Sequence, residues 1–368
     1  MSAGRPFRTT VIGSMPRPAW LVGEAPLGDA APRLHGSGAG WRLTGRPLRD
    51  AQDDAVRLAV HDQVRAGIDV ISDGEQRRSS YLTYVTARLA GFDYTTLARK
   101  WTRNRRRLAE VGRCVGQVRR TAPILADDLR FLLAESDRPV KVTLPGPMTV
   151  VDSTLDEHYG DEEAMAMAVA AALDQEAREL DGMGAAVIQF DEPVFSRYPE
   201  KVRTWGIEAL DRAAAGIRHA ASTVHVCYSY PMPGVPRPIV DSYPAILAEL
   251  ERSRVAQVAL EFAAAGLDPE LLRRCPSKTV LYGCISNGTD KVESPEEVAG
   301  RLLAAAAHLP AEQIQAAPDC GLVPLSPPVA RAKLRALAAG AAQGGGTRKG
   351  CGWGDGGTRG PAPLGAGQ

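Results

Sequence analysis

Short apolar runs, each followed by a turn and then by a longer amphipathic segment, recur along this chain. Runs of this length and composition are typical of buried β-strands, because strands of a sheet covered on both faces need apolar side chains throughout. The predicted strands are Thr9–Gly13, Asp69–Ser72, Val140–Leu144, Ala185–Phe190, Thr223–Cys227, Val255–Phe262, Thr279–Ile285 and Ile314–Ala317.

Segments of helical periodicity separate these runs. One of them starts at Ser294, which is followed by Pro295 and two glutamates, the residues favoured at a helix N-terminus. Eight strand–helix units in about 340 residues predict an α/β fold, a single (β/α)₈ TIM barrel over residues 1–339. The predicted helices are Asp50–Ala66, Asp161–Gly182, Ser242–Arg252, Pro295–His308 and Pro327–Ala339.

Two insertions and a tail depart from this repeat. Arg17–Leu48, rich in Gly, Pro and Arg, follows strand one, and Gly91–Asp137, predicted to add a hairpin or helix, follows strand two. The basic run Arg103–Arg107 is accompanied by no aromatic ladder, so we interpret it as a solvated surface face. Gly340–Gln368 is dominated by glycine and is predicted to be a disordered tail.

Composition narrows the class of protein. The 368 residues are 44% hydrophobic and 24% charged, with 44 basic and 43 acidic side chains, which is typical of a globular protein with a sizeable core. The net charge of +1 argues against a nucleic-acid partner, and no apolar run approaches the roughly 20 residues of a membrane helix. Six cysteines without a dense framework favour a reducing compartment, so we expect a cytoplasmic protein.

Polar residues follow most of the predicted strands. Barrels of this type place functional groups at the carboxyl ends of their strands, so these residues are expected to share one rim. They are Ser14, Asp73-Gly74-Glu75, Asp191-Glu192-Pro193, His225-Val226-Cys227, Glu261 and Asp319-Cys320-Gly321.

His225 and Cys227 are two residues apart on a strand and therefore point to the same face. Taken alone, such a pair is more often structural. Glu261 and Cys320 end nearby strands and complete a His/Cys/Glu/Cys set, which predicts a zinc site. Two thiolates and a carboxylate suit activation of a substrate thiol better than activation of water, and this favours alkyl transfer to sulfur.

The remaining rim residues suit a zwitterionic substrate. Glu75 and Asp191 are predicted to bind an ammonium group, and Ser14 with nearby backbone amides a carboxylate. For Asp73 and Glu192, a role in the site and a role in anchoring loops stay equally open.

A series of motifs in this order resembles the catalytic barrel of cobalamin-independent methionine synthase and its shorter single-barrel relatives. The motifs are VIGSMPRP, ISDGEQ, TLPGPMT, IQFDEP, HVCYS, ALEFA, VESPEEVAGRL and APDCGL. The resemblance implies a zinc-dependent S-methyltransferase of methionine biosynthesis, which transfers a methyl group to the thiol of homocysteine. By the same resemblance the zinc ligands are His225, Cys227, Glu261 and Cys320, while Ser14, Glu75 and Asp191 hold the amino acid.

The methyl donor is left open between a methyl-folate and a methylcorrinoid. Full-length members of the family carry Asp-Ile-His-Ser at the end of strand seven, with a histidine implicated in protonating the folate leaving group. This chain has Gly283-Cys284-Ile285-Ser286 there. His158, after strand three, is a speculative replacement acid, and Cys284 is interpreted as a core thiol.

Two other functions stay open. A zinc barrel of this kind could transfer a different alkyl group or use a different thiol, as an epoxyalkane:coenzyme M transferase does. A non-catalytic zinc barrel could bind an amino-acid thiol as a sensor. The Ser14, Glu75 and Asp191 set favours an amino-acid thiol over a sulfonate thiol.

Overall fold

Strands and helices alternate from residue 141 onward in the computed structural model, which describes residues 5–23, 40–229 and 239–347. The strands are β1 (Leu89–Thr102), β2 (Arg107–Arg120), β3 (Lys141–Pro145), β4 (Thr154–Asp156), β5 (Val187–Asp191), β6 (Ala221–Val226), β7 (Gln257–Leu260), β8 (Thr279–Ile285) and β9 (Ile314–Pro318). The α-helices are α1 (Gly45–Ala66), α2 (Thr83–Thr86), α3 (Ala126–Glu135), α4 (Pro147–Asp152), α5 (Glu162–Gly182), α6 (Pro199–Lys201), α7 (Ile207–Ala213), α8 (Tyr243–Arg252), α9 (Pro295–Ala305) and α10 (Pro327–Thr347). The described ranges also contain three 3₁₀ helices (Pro193–Arg197, Pro269–Arg274 and Ala311–Gln313) and a π-helical turn (Val202–Gly206).

A closed parallel barrel forms the centre of the molecule. Six strands pair in parallel in the order β3-β5-β6-β7-β8-β9. Two short extended segments close the ring through parallel bridges that join Thr9 to Ala316, Thr10 to Val70 and Ile71 to Val140. The ring therefore has eight strands, and the predicted TIM barrel is confirmed.

Burial on both faces explains the apolar runs. Every residue of β3, β5 and β7 is buried, since helices cover the outside of the barrel and side chains fill its interior. The interior contains a small separate apolar cluster with one residue from each of four strands. Its members are Ile12, Ala259, Leu281 and Ala317.

Helix α9 begins as the sequence predicts. The Ser294 hydroxyl accepts the backbone N–H of Glu297 at 3.2 Å, and the Glu297 carboxylate accepts the backbone N–H of Ser294 at 2.8 Å. This capping box satisfies two backbone donors that a helix N-terminus otherwise leaves open.

The insertion after strand two contains the predicted hairpin. Strands β1 and β2 pair antiparallel, and β2 also pairs in parallel with β4. The hairpin turns at Arg103, Asn104 and Arg105, which have φ values of 56°, 56° and 58°. Of the insertion after strand one, residues 24–39 lie outside the described part of the chain.

The carboxyl-terminal boundary differs from the prediction. Helix α10 does not stop at residue 339 but continues to Thr347. A Cβ atom on Gly340 would lie 2.5 Å from Cβ of Val298, so the glycine allows α10 to pack closely against α9. Glycine here serves helix packing rather than disorder. The rest of the predicted tail, residues 348–368, lies outside the described part.

Within the described ranges, no helix combines the length and the apolar character that crossing a bilayer requires.

Candidate functional site

One pocket lies at the carboxyl end of the barrel strands. It is formed where the first, second, fourth, fifth and eighth strands of the barrel end, together with the tip of the β1–β2 hairpin. Predicted site residues on its wall are Ser14, Glu75, Asp191, His225, Cys227 and Cys320. Residues far apart in sequence therefore share one rim, as the strand-end pattern predicts.

Three potential metal ligands converge in this pocket. Ligand atoms of His225, Cys227 and Cys320 all lie within 4.8 Å of one another, and all three residues are buried. The two sulfurs are 3.8 Å apart. Two sulfurs bound to a tetrahedral zinc ion at about 2.3 Å would stand about 3.8 Å apart, so the pair has the spacing of zinc ligands.

The buried imidazole of His225 supports the same interpretation. Neither ring nitrogen has a hydrogen-bond partner within the described residues. Buried polar atoms are nearly always paired, so an unpaired imidazole between two thiols fits a ligand position. Contact with the Cys320 thiol lowers the pKa of Cys227, as does the neighbouring His225, whereas the Cys320 thiol has its pKa raised by contact with Cys227.

The fourth predicted ligand stands apart from these three. Glu261 follows β7 and is buried, but its carboxylate is not within 4.8 Å of all three other ligands. One of its oxygens instead accepts the backbone N–H of Tyr228 at 3.0 Å. As a metal ligand, Glu261 stays a prediction.

Asp319 organises the loop that carries Glu261. Its carboxylate accepts the backbone N–H groups of Phe262 and Ala263, both at 2.9 Å. A Cβ atom on Gly283 would collide with this carboxylate. Glycine at the end of strand seven is therefore required by the anchored position of Asp319.

Glu75 is buried and tightly bonded. It accepts hydrogen bonds from the hydroxyls of Ser14 and, at 2.6 Å, Thr143, and the Arg78 guanidinium lies 3.5 Å away. Its φ of 56° is unusual for a residue with a Cβ atom and turns the carboxylate toward the pocket. The Ser14 hydroxyl, predicted to bind a substrate carboxylate, thus already donates to Glu75.

Asp191 stands above a buried chain of hydrogen bonds. Gln189 donates to its Oδ1 at 2.8 Å, and Lys141 donates to Gln189 at 3.0 Å and to the Val11 carbonyl at 2.6 Å. Burial raises the pKa of Asp191 to about 7 and lowers the pKa of Lys141 to about 7. This series of hydrogen bonds holds the Asp191 carboxyl in a fixed position on the pocket wall.

Asp73 and Glu192 anchor loops. Asp73 accepts the backbone N–H of Glu75 at 2.9 Å, and Glu192 accepts the backbone N–H groups of Met148 and Thr149, both at 2.8 Å. Neither lines the pocket. Of the two roles left open by the sequence, the geometry favours anchoring.

His158 does not reach the pocket. Strand β4 pairs with the hairpin and carries the following residues outward, so His158 is exposed and its ring packs on Tyr159 with centroids 4.8 Å apart. Cys284 is a buried core thiol that contacts the Ala317 carbonyl at 3.6 Å, and burial raises its pKa to about 12.

Arg103, Tyr81 and Ser229 also line the pocket, although the sequence did not single them out. The guanidinium of Arg103 donates to the Ser229 hydroxyl. The interpretation of Arg103–Arg107 as a solvated face is therefore wrong for Arg103, because the hairpin folds back over the barrel mouth. The sequence feature that could have indicated a role for Arg103 is the length of the insertion, Gly91–Asp137, in which it lies.

Comparisons with known proteins agree with this architecture. The model of the cobalamin-independent synthase catalytic domain matches residues 7–343. A methionine synthase from Sulfurisphaera tokodaii is 32% identical over 327 residues, 89% of each chain. One from Thermococcus kodakarensis is 30% identical over 328 residues, 89% of this chain and 90% of that protein.

Solved structures show the same similarity. A B12-independent methionine synthase from Shewanella sp. W3-18-1, in complex with selenomethionine, superposes with a TM-score of 0.84 at 35% identity over 94% of this chain and 98% of that one. A putative B12-independent methionine synthase from Listeria monocytogenes shares the fold, with a TM-score of 0.69 at 19% identity over 92% of this chain and 98% of that one. This chain belongs to the cobalamin-independent methionine synthase catalytic-domain family.

Proposed function

We propose that this protein is a zinc-dependent methyltransferase that methylates the sulfur of homocysteine to give methionine. The observation that carries the proposal is the convergence of His225, Cys227 and Cys320 within 4.8 Å, in the pocket that also contains Glu75 and Asp191. Soft sulfur ligands stand beside two carboxyl groups that suit an ammonium group. An amino-acid thiol carries a sulfur atom that suits a metal held by these ligands and an ammonium group that suits these carboxyl groups.

The three ligands fit zinc. The 3.8 Å sulfur separation and the unpaired buried imidazole suit a small tetrahedral cation, and sulfur ligands favour zinc over magnesium or calcium. Bound there, with Glu261 as the predicted fourth ligand, zinc would lower the pKa of the substrate thiol and leave its sulfur nucleophilic.

Glu75 and Asp191 orient the substrate. Glu75 is held by Ser14 and Thr143, and Asp191 by Gln189, so both carboxyl groups are fixed before the substrate binds. An ammonium group bound between them would direct the substrate sulfur toward the metal ligands. The Shewanella relative was solved with selenomethionine, the selenium analogue of the proposed product, which supports an amino-acid site.

In the proposed transfer, the thiolate sulfur forms a bond to the methyl carbon, and the bond between that carbon and the donor breaks. The electron pair of that bond leaves with the donor. A methyl-folate leaving group needs a proton, and this chain has Gly283 and Ile285 at the end of strand seven, where full-length members of the family carry an acid and a histidine. We therefore propose a methylcorrinoid as the donor, with methyl-folate as the alternative. The balanced charge of the sequence, and the free thiols of the five cysteines in the described ranges, support a cytoplasmic enzyme of small molecules.

Mass-spectrometric detection of methionine tests the proposal. The zinc-loaded protein is incubated with homocysteine and either methylcobalamin or 5-methyltetrahydrofolate. We expect methionine from the wild type and none from Cys320→Ser, whereas Cys284→Ser, which changes a core thiol outside the pocket, should stay active. Equal methionine formation by metal-free and zinc-loaded protein would contradict zinc dependence. Absence of transfer from both donors would contradict the proposed reaction.

A further inference from the structure

We propose that Arg103, at the tip of the β1–β2 hairpin, binds the carboxylate of the amino-acid substrate and so selects thiols that carry one. This inference rests on the proposed function, because it assigns the second charged group of the same substrate. It adds a specificity-determining residue from the insertion to the pocket built by the barrel.

The tip of the hairpin is fixed against the barrel. The backbone N–H of Arg103 donates to Asp152 at 3.0 Å, and the backbone N–H of Asn104 donates to the Tyr198 hydroxyl. Further along the hairpin, the Lys100 ammonium donates to the carbonyls of Val151 at 2.8 Å and Thr154 at 2.7 Å. These contacts hold the turn in one position over the barrel mouth.

Backbone strain in the turn is balanced by these contacts. Three consecutive residues with Cβ atoms, Arg103, Asn104 and Arg105, have φ near 57°, a region that such residues rarely adopt. Left-handed residues of this kind persist only where the surroundings hold them. In this conformation the Arg103 side chain enters the pocket, while Arg105 stays exposed to solvent.

The Arg103 guanidinium retains capacity to bind an anion. Its hydrogen bond to the Ser229 hydroxyl uses one of five N–H donors, and within the described ranges no carboxylate lies within ion-pair distance. Among the described residues that line the pocket, Arg103 carries the one permanent positive charge. A planar guanidinium with free donors is well suited to bidentate binding of a carboxylate.

Apart from the uncharged backbone amides near Ser14, the described pocket wall offers the substrate carboxylate no other strong partner. Glu75 and Asp191 would repel it, and the Ser14 hydroxyl already donates to Glu75. Burial is the main cause of the raised pKa of Tyr81, but the charge of Arg103 lowers that pKa and the charge of Asp191 raises it. Tyr81, Arg103 and Asp191 line the same pocket, so the cation and the carboxyl group face one binding space.

Binding of product-like ligands tests the assignment without a methyl donor. Isothermal titration calorimetry on the full chain compares methionine with 3-(methylthio)propylamine, which lacks only the carboxylate. We expect the wild type to bind methionine about 10- to 100-fold more tightly, the range of a hydrogen bond to a charged group. Arg103→Ala should remove this preference by weakening methionine alone, and Arg103→Lys should retain part of it.

Arg105→Ala is the matched control, since this residue has the same backbone conformation in the same turn but an exposed side chain. It should bind both ligands as the wild type does. Equal weakening of both ligands by Arg103→Ala would show a purely structural role and overturn the inference. An unchanged preference in Arg103→Ala, or no preference in the wild type, would overturn it as well. Binding of methionine by the wild type would keep the proposed function intact even where the Arg103 assignment fails. Binding of neither ligand would contradict both the Arg103 assignment and the proposed function.

Discussion

Glu75, Arg103 and Ser229 share two properties: each has a positive φ (56°, 56° and 74°), and each lines the pocket. Their side chains are directed by backbone conformations that cost free energy and are held by neighbouring hydrogen bonds. Sequence patterns carry no signal for such a conformation at a residue that is not glycine. Metal-binding side chains, in contrast, can be recognised by residue type alone. His225, Cys227 and Cys320 could therefore be predicted from the sequence, and Arg103 could not.

Removing the charge of Glu75 should weaken substrate binding. In Glu75→Gln, we expect methionine affinity to fall by about 10- to 100-fold, because an ion-paired hydrogen bond to the ammonium group becomes a neutral one. Zinc content should not change. Glu192→Gln changes a buried glutamate that is outside the pocket, and it should lower thermal stability without lowering affinity. Unaltered affinity in Glu75→Gln would remove this residue from the binding site.

Lys141 should make stability depend on pH. Burial lowers its pKa from 10.5 to about 7, so between these values the unfolded chain binds a proton that the folded chain lacks. The free energy of unfolding of the wild type relative to Lys141→Met should therefore rise with pH from 7 toward 10.5, by at most about 1.4 kcal/mol per unit. Urea unfolding at pH 7, 8 and 9 measures this difference. A difference independent of pH would mean that Lys141 keeps its proton when folded.

At the scale of elements, the barrel could be predicted closely and its additions only in part. Strands such as β5 and β8 are apolar throughout because both faces are buried, and a single sequence shows this directly. The docking of the β1–β2 hairpin depends on contacts with residues 49 to 126 positions away, which local patterns do not encode. Helix α10 continues past residue 339 because Gly340 packs against Val298, a tertiary contact that outweighs the low helix propensity of glycine.

The capping box of α9 should contribute measurably to stability. Ser294→Ala should lower the free energy of unfolding by about 1 kcal/mol, since the Glu297 N–H loses its partner. Thr44 occupies the same position before α1 but makes no side-chain cap hydrogen bond, so Thr44→Ala should change stability little. Chemical denaturation of both variants makes the comparison. Equal effects at the two positions would contradict the role of the Ser294 hydroxyl.

At the scale of the whole molecule, closure of the barrel brings together residues from position 14 to position 320. The parallel register places Asp191 beside His225, and the last strand delivers Cys320 to Cys227 across the mouth. The candidate metal ligands and the carboxyl groups proposed to bind an amino acid thus line one pocket, which is the arrangement that the proposed thiol alkylation requires.

The zinc content of the protein should fall when one of the proposed metal ligands is replaced. Wild-type protein is expected to hold one zinc ion per chain, and Cys227→Ser and Cys320→Ser should each lose most of it, because hydroxyl oxygen is a poor ligand for zinc. Cys284→Ser, a substitution at a buried thiol outside the pocket, should retain zinc. Elemental analysis of the purified variants measures this. Retention of full zinc by both ligand variants would place the metal elsewhere.

Proton release on homocysteine binding tests the central claim most directly. Calorimetric titrations at pH 7 in buffers of different ionisation enthalpy count the protons released. A free thiol is almost fully protonated at this pH, so zinc-loaded protein should release about one proton per homocysteine bound, and methionine should release none. The account predicts that metal-free protein and Cys320→Ser lose this release. The same proton count with and without zinc would contradict it.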